Sequence, residues 1–125
     1  MIAADTSSWI AYLEGSRGED VDLLDRALAD QQLVLPAPVL TELLSDPRIE
    51  ESLVEDLLEL PLLEPTGDFW VRAGRLRATV LARRRKARLA DALIAQLCSD
   101  RGVKLITRDR DFRVFVEAAG LDLMI

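Results

Sequence analysis

A chain of 125 residues suffices for one domain, spanning 1–125, with a core of its own; 50% hydrophobic and 30% charged residues read as globular rather than disordered. The absence of histidine excludes His-Asp-Ser triads, histidine acid–base schemes and His-ligated zinc, and a net charge of −6 argues against a surface that grips nucleic acid indiscriminately. No apolar run approaches the roughly 20 residues of a bilayer span, no signal-peptide pattern opens the chain, and the single cysteine, Cys98, fits a core position in a cytoplasmic protein.

Short apolar runs alternate with helical patterns. Ile2 to Ala4 reads as a buried strand, followed by a helix that starts at Thr6-Ser7-Ser8 and carries Trp9, Ile10, Tyr12 and Leu13. Gly15 to Gly18 is a turn, after which Glu19, Asp20 and Asp22 open a helix with Val21, Leu24 and Leu28 on one face. Leu33-Val34-Leu35 is a second strand closed by Pro36, and Pro38 suits the first turn of the helix that bears Glu42. Asp46-Pro47 repeats that punctuation and predicts a helix start, with Ile49, Leu53, Leu57 and Leu60 at helical spacing.

Leu62 to Glu64 is a third strand, and Thr66-Gly67-Asp68 begins a long helix whose Phe69, Ala73, Leu76 and Val80 form a buried stripe. Leu89 to Cys98 is helical, Lys104 to Thr107 a strand, and Phe112 to Ala119 a last helix stopped by Gly120. Leu121 to Ile125 reads as a closing strand. Strands alternating with helices imply an α/β fold whose parallel sheet is covered on both faces.

The chemistry rests on four acids. Asp5 and Asp109 each follow a strand, where ligands of open α/β sheets gather; Glu42 lies on the helix after the second strand, and Asp91 on a helical first turn. Carboxylates gathered at one place repel, and a divalent cation is the usual reason to keep them together. No glycine-rich phosphate loop is present. Eight cations crowd between Arg72 and Arg88. They serve either as a solvated helix end that complements the dipole or as a phosphate-holding rim beside the acids.

The segments Asp5-Thr6-Ser7, Thr41-Glu42-Leu43-Leu44, Ala90-Asp91-Ala92-Leu93-Ile94-Ala95 and Thr107-Arg108-Asp109-Arg110-Asp111-Phe112 resemble the motifs of PIN-domain ribonucleases. The likeness is closest to the VapC toxins of toxin–antitoxin pairs and runs the length of the chain. It implies a three-layer PIN-like fold with a central, mostly parallel sheet of four to five strands. It also implies an endoribonuclease that binds Mg²⁺ or Mn²⁺ through Asp5, Glu42, Asp91 and Asp109, which are at once metal and catalytic residues. Asp5 and Asp91 are the expected direct ligands, with Glu42 and Asp109 holding coordinated water or a second ion.

Thr6, Ser7 and Thr107 either orient these groups or cap local structure, with capping favoured for Ser7, and Asp111 is expected to be structural. The resemblance further implies an RNA substrate, a cognate antitoxin that inhibits the protein, a homodimer and a hetero-oligomer with the antitoxin. Trp9, Ile10, Tyr12 and Leu13 are then groove, dimer or core residues. Two other readings are a receiver-like phosphoacceptor domain and a PIN-like binding module without turnover.

Overall fold

Backbone pairing begins with two adjacent parallel ladders. In this computed structural model, which describes all of residues 1–125, strand β1 (Ile2–Ala4) pairs in parallel with β4 (Lys104–Ile106), and β2 (Leu35–Pro36) with β3 (Leu62–Leu63). An Ile2–Leu33 bridge joins the two pairs, and a Leu105–Leu123 bridge adds the C-terminal segment at the other edge. The spatial order is therefore β3-β2-β1-β4 and then Leu123, all parallel.

Neighbouring residues in a strand point to opposite faces. Ala3 and Ala4, like Leu105 and Ile106, are all fully buried, so both faces of the central pair are covered. The cover comes from α1 (Thr6–Leu13) and α2 (Glu19–Ala29), packed on each other, and from α5 (Phe69–Ala82), α6 (Leu89–Arg101) and α7 (Val114–Ala119). Helix α3 (Ala37–Leu44) touches α1 and α6, while α4 (Glu51–Leu58) precedes β3. The stripe Phe69, Ala73, Leu76 and Val80 is buried as its spacing predicts, and Cys98 lies in the core, where burial pushes its thiol up to about 12. This order also departs from a receiver domain, in which β1 lies between β2 and β3; here it lies between β2 and β4.

Strand β2 takes in Pro36, expected to close it, with Leu33 only a bridge, and three further boundaries depart more widely from the sequence reading. Pro47 does not start a helix: the Asp46 carboxylate accepts from the Arg48 amide at 2.9 Å, a local turn that competes with helix, and α4 begins at Glu51. The last helix is split, because Asp109 caps the Asp111 amide at 2.9 Å and tightens Arg110–Arg113 into a 3₁₀ turn before α7. The closing strand reduces to one bridge at Leu123, held by bonds on either side of Leu105. Gly120 does end α7, in the left-handed region at φ 68°. Helix α5 ends the same way without glycine: Arg84 takes φ 58°, its amide bonding to Leu81 O and that of Arg85 to Val80 O.

Candidate functional site

From β1 the chain crosses to β2 on one side, while β4 lies on the other, so a crevice opens at the carboxyl ends of these two central strands. Asp5 and the Thr107–Asp109 segment leave β1 and β4 at this point, tied by the Asp5 amide to Ile106 O at 3.1 Å. Asp5 is only 3% exposed. Its carboxylate caps α1 through the Ser8 amide at 3.1 Å and accepts the Ser7 hydroxyl at 2.8 and 2.9 Å. Burial raises its pKa, and hydrogen bonds from Ser7, Ser8 and Thr107 oppose that rise by favouring the anion.

Asp109 is positioned by its amide, which donates to the Thr107 hydroxyl at 3.0 Å, and by the cap it forms on Asp111. Glu42, exposed on α3, accepts the Thr6 hydroxyl at 2.6 Å, which couples the start of α1 to the middle of α3 across 36 residues of sequence. Asp91 sits in the first turn of α6, half-buried, where a helix dipole favours negative charge. Its carboxyl is nevertheless pushed up to about 6, first by burial, then by Asp109 and Asp5; Arg88 pulls the other way and Glu42 adds a smaller push.

Asp109, Asp5 and Glu42 thus each lie within electrostatic reach of Asp91. No three carboxylates close to the spacing of a shared ion's ligand shell. An all-oxygen donor set that raises the proton affinity of Asp91 suits a hard divalent cation. Ser7, expected as a capping residue, instead binds both carboxylate oxygens of Asp5 and orients it. Asp111 has a local role, in an ion pair with Lys86 at 3.4 Å.

One buried network escaped the sequence reading, in which Asp20 is only a helix-opening acid. Asp20 is 3% exposed and accepts the Ser8 hydroxyl at 2.8 Å and a two-pronged bond from Arg108 at 2.7 and 3.0 Å. The Arg108 guanidinium holds the Asp20 carboxyl below its usual range. Ser8 therefore joins two acids, Asp5 through its amide and Asp20 through its hydroxyl, so Asp20 and Arg108 brace the turn that presents Asp5. Gly18 makes room for this: a Cβ there would lie 2.5 Å from Asp20 Oδ1 and 2.9 Å from Arg108 Nη2.

The basic stretch divides. Arg72 is tied to Asp68 and Asp100, joining α5 to α6, and the Arg77 Nε donates to Ala87 O at 2.8 Å. Neither belongs to a phosphate rim. Of the four residues near the first helix, Trp9 is buried in the core and Tyr12 packs edge-on against it. Ile10 and Leu13 are exposed and line a groove of about 680 Å³ with Leu43, Ile49 and Leu53. Glu14, Glu42, Asp46, Glu50 and Asp56 rim it against one cation, Arg48, so the groove is acidic on balance and ends at a member of the acid cluster.

Known proteins share the fold. The chain is 29% identical over 128 residues to VapC ribonuclease Mb1587 of Mycobacterium bovis and to ribonuclease VapC11 of Mycobacterium tuberculosis, covering 97% of this chain and 96% of each relative. Its fold is similar to the DNA-bound VapBC of Salmonella typhimurium, with a TM-score of 0.72 at 18% identity over 98% of this chain and 97% of that one. It is also similar to FitAcB of Neisseria gonorrhoeae, with a TM-score of 0.69 at 18% identity over 100% and 97%. The PIN domain model matches residues 2–117, nearly the whole chain, and the protein belongs to the PIN domain family.

Proposed function

We propose that this protein is a divalent-metal-dependent endoribonuclease, the toxin of a toxin–antitoxin pair. The observation that carries the reading is the gathering of Asp5, Asp109 and Glu42 about Asp91 at the first turn of α6, in a chain that matches the PIN domain model. Relatives named as VapC ribonucleases, and the VapBC fold, support the substrate class and the pairing.

Asp5 and Asp91 would hold Mg²⁺ or Mn²⁺ directly, with Glu42 and Asp109 completing the acidic shell. When bound, such an ion acidifies water for attack on a phosphodiester and offsets charge on the departing oxygen. The protein's own groups set the geometry. Ser7 and Ser8 fix the Asp5 carboxylate, Thr6 fixes Glu42, and the Thr107 hydroxyl fixes the backbone at Asp109. With no histidine in the chain, proton transfer falls to carboxylates and water.

The antitoxin's site in this reading is the acidic groove between α1, α3 and α4. Its apolar floor and carboxylate rim suit a basic amphipathic segment, which could reach Glu42 and block the centre. The test is cleavage of RNA with Mg²⁺ or Mn²⁺, abolished by EDTA and by Asp5→Asn, a change that keeps a residue able to cap α1. Full activity in a folded Asp5→Asn protein would falsify the proposal. Loss of inhibition after Leu53→Lys, with cleavage retained, would support the groove assignment.

A further inference from the structure

We infer that a second, basic cleft beside the acidic centre holds the phosphodiester backbone of the RNA strand and reads its charge rather than its bases. Arg83, Arg85 and Lys86, from the α5–α6 connection, meet Arg110 and Arg113, from the 3₁₀ turn, around a cleft of about 500 Å³. Its carboxylates are Asp111, already paired with Lys86, and Glu117. Five cations against two acids leave a local excess of three positive charges in a protein of net charge −6. Such a concentration against the overall sign is the electrostatic footprint of a polyanion site.

The cleft leads to one of the acids. Arg110 and Arg113 also line a smaller cleft of about 180 Å³ with Thr107, Asp109, Leu123 and Ile125, so one strip of surface runs from the cations to Asp109. Arg108, on the same strip, is committed to Asp20 and is not part of the subsite. The cation-bearing connection is braced at both ends, by the α5 terminus at Arg84 and Arg85 and by Arg77 on Ala87 O. The charges therefore stand on a fixed scaffold, which lowers the cost of ordering them on binding.

The lining also selects the kind of ligand. Its only apolar residue is Val114 and it has no aromatic ring, so it lacks both a pocket for a small apolar body and a platform on which bases could stack. The five cations are all exposed and spread along the wall, an arrangement suited to successive phosphates rather than to one tightly gripped anion. Phosphate contacts position a strand without reading its sequence. The identity of the polyanion as RNA rests on the ribonuclease reading, whereas the cleft's charge does not.

The test uses the full chain with Asp91→Asn in EDTA, which silences cleavage, and fluorescence anisotropy with two labelled 12-nucleotide single-stranded RNAs, one oligo(U) and one of mixed sequence. Arg85→Ala/Arg113→Ala is expected to weaken both about tenfold at 0.1 M salt. It should also reduce the slope of log affinity against log salt by about 1.4, or 0.7 for each phosphate no longer neutralised. Arg26→Ala, exposed on α2, is the control for simple loss of charge. Arg85→Lys/Arg113→Lys should restore most of the affinity, and melting curves for each variant separate lost binding from lost fold.

In the cleavage-competent protein the same pair should raise KM about tenfold and leave kcat within about twofold. Unchanged affinity and salt slope would overturn the inference, as would a loss confined to one of the two RNAs. Displacement of RNA by polyglutamate at equal charge would also overturn it, by assigning the cleft to an acidic protein segment. Absence of RNA cleavage by the unaltered protein would sink the ribonuclease reading while the binding arm still decides the cleft.

Discussion

Asp91→Asn should make the metal-free protein more stable while abolishing its activity. The Asp91 carboxyl sits at about 6 against 3.8 for an unperturbed group, so the folded state holds that proton more firmly than the unfolded chain does between roughly pH 4 and 6. Stability contributed by protonated Asp91 is present below pH 4 and lost as pH rises through 6. At neutral pH the full difference corresponds to about 3 kcal/mol of charge penalty; because the group is only partly buried, solvent screening reduces this to about 1–2 kcal/mol. Asparagine is nearly isosteric and carries no charge, so the variant should melt about 3–8 °C above the unaltered protein at pH 7.5 in EDTA. That gap should close towards pH 4. Adding Mn²⁺ should raise the melting temperature of the unaltered protein and not that of the variant, reversing their order once the ion is near saturation. Thermal melts followed by circular dichroism at the two pH values, with EDTA and with Mn²⁺, measure all three effects. A variant that melts lower than the unaltered protein in EDTA at pH 7.5, or a gap indifferent to pH, would refute the idea that burial, aided by repulsion from the other acids, sets the state of Asp91.

Asp20→Asn should destabilise the fold by about 1–2 kcal/mol at neutral pH: it removes the countercharge of Arg108, and water reaching the partly exposed guanidinium limits the loss. Because the Asp20 carboxyl is held below its usual range, that loss should shrink as pH falls below 4, which urea titrations at pH 7 and pH 3.5 can read. Cys98, fully buried with its thiol pushed up to about 12, should react with a disulfide reagent only after unfolding, so a native-state half-reaction in minutes would contradict its core position. Arg84→Gly should stabilise the chain by about 1 kcal/mol, since glycine enters the left-handed region without a Cβ clash, and a lower melting temperature would argue against that strain.

What the sequence made legible follows from how local each signal is. Strand ends near Asp5 and Asp109 were readable because an apolar run gives way to polar residues that include an acid, and the α5 stripe because burial repeats every three to four residues. The start of α4 was misread because Asp46 can bond its own turn, a choice that proline punctuation does not reveal. The Ser8–Asp20–Arg108 network was invisible for a different reason: its partners are 12 and 88 residues apart and none stands in a distinctive local pattern. The basic stretch was only half legible. Spacing could not tell that Arg72 and Arg77 turn to neighbouring elements while Arg110 and Arg113, far along the chain, join Arg83 and Arg85.

Glu42 belongs to two places at once, the mouth of the groove and the cluster of acids. Anything seated in the groove that neutralises this carboxylate alters the charge felt at Asp91, and any cation drawn to Asp91 alters what the groove offers its occupant. The two events are thermodynamically linked, and the linkage is reciprocal. An inhibitor that competes for Glu42 would loosen as divalent ion rises, so the ionic conditions of the cell would set how firmly this protein is held silent.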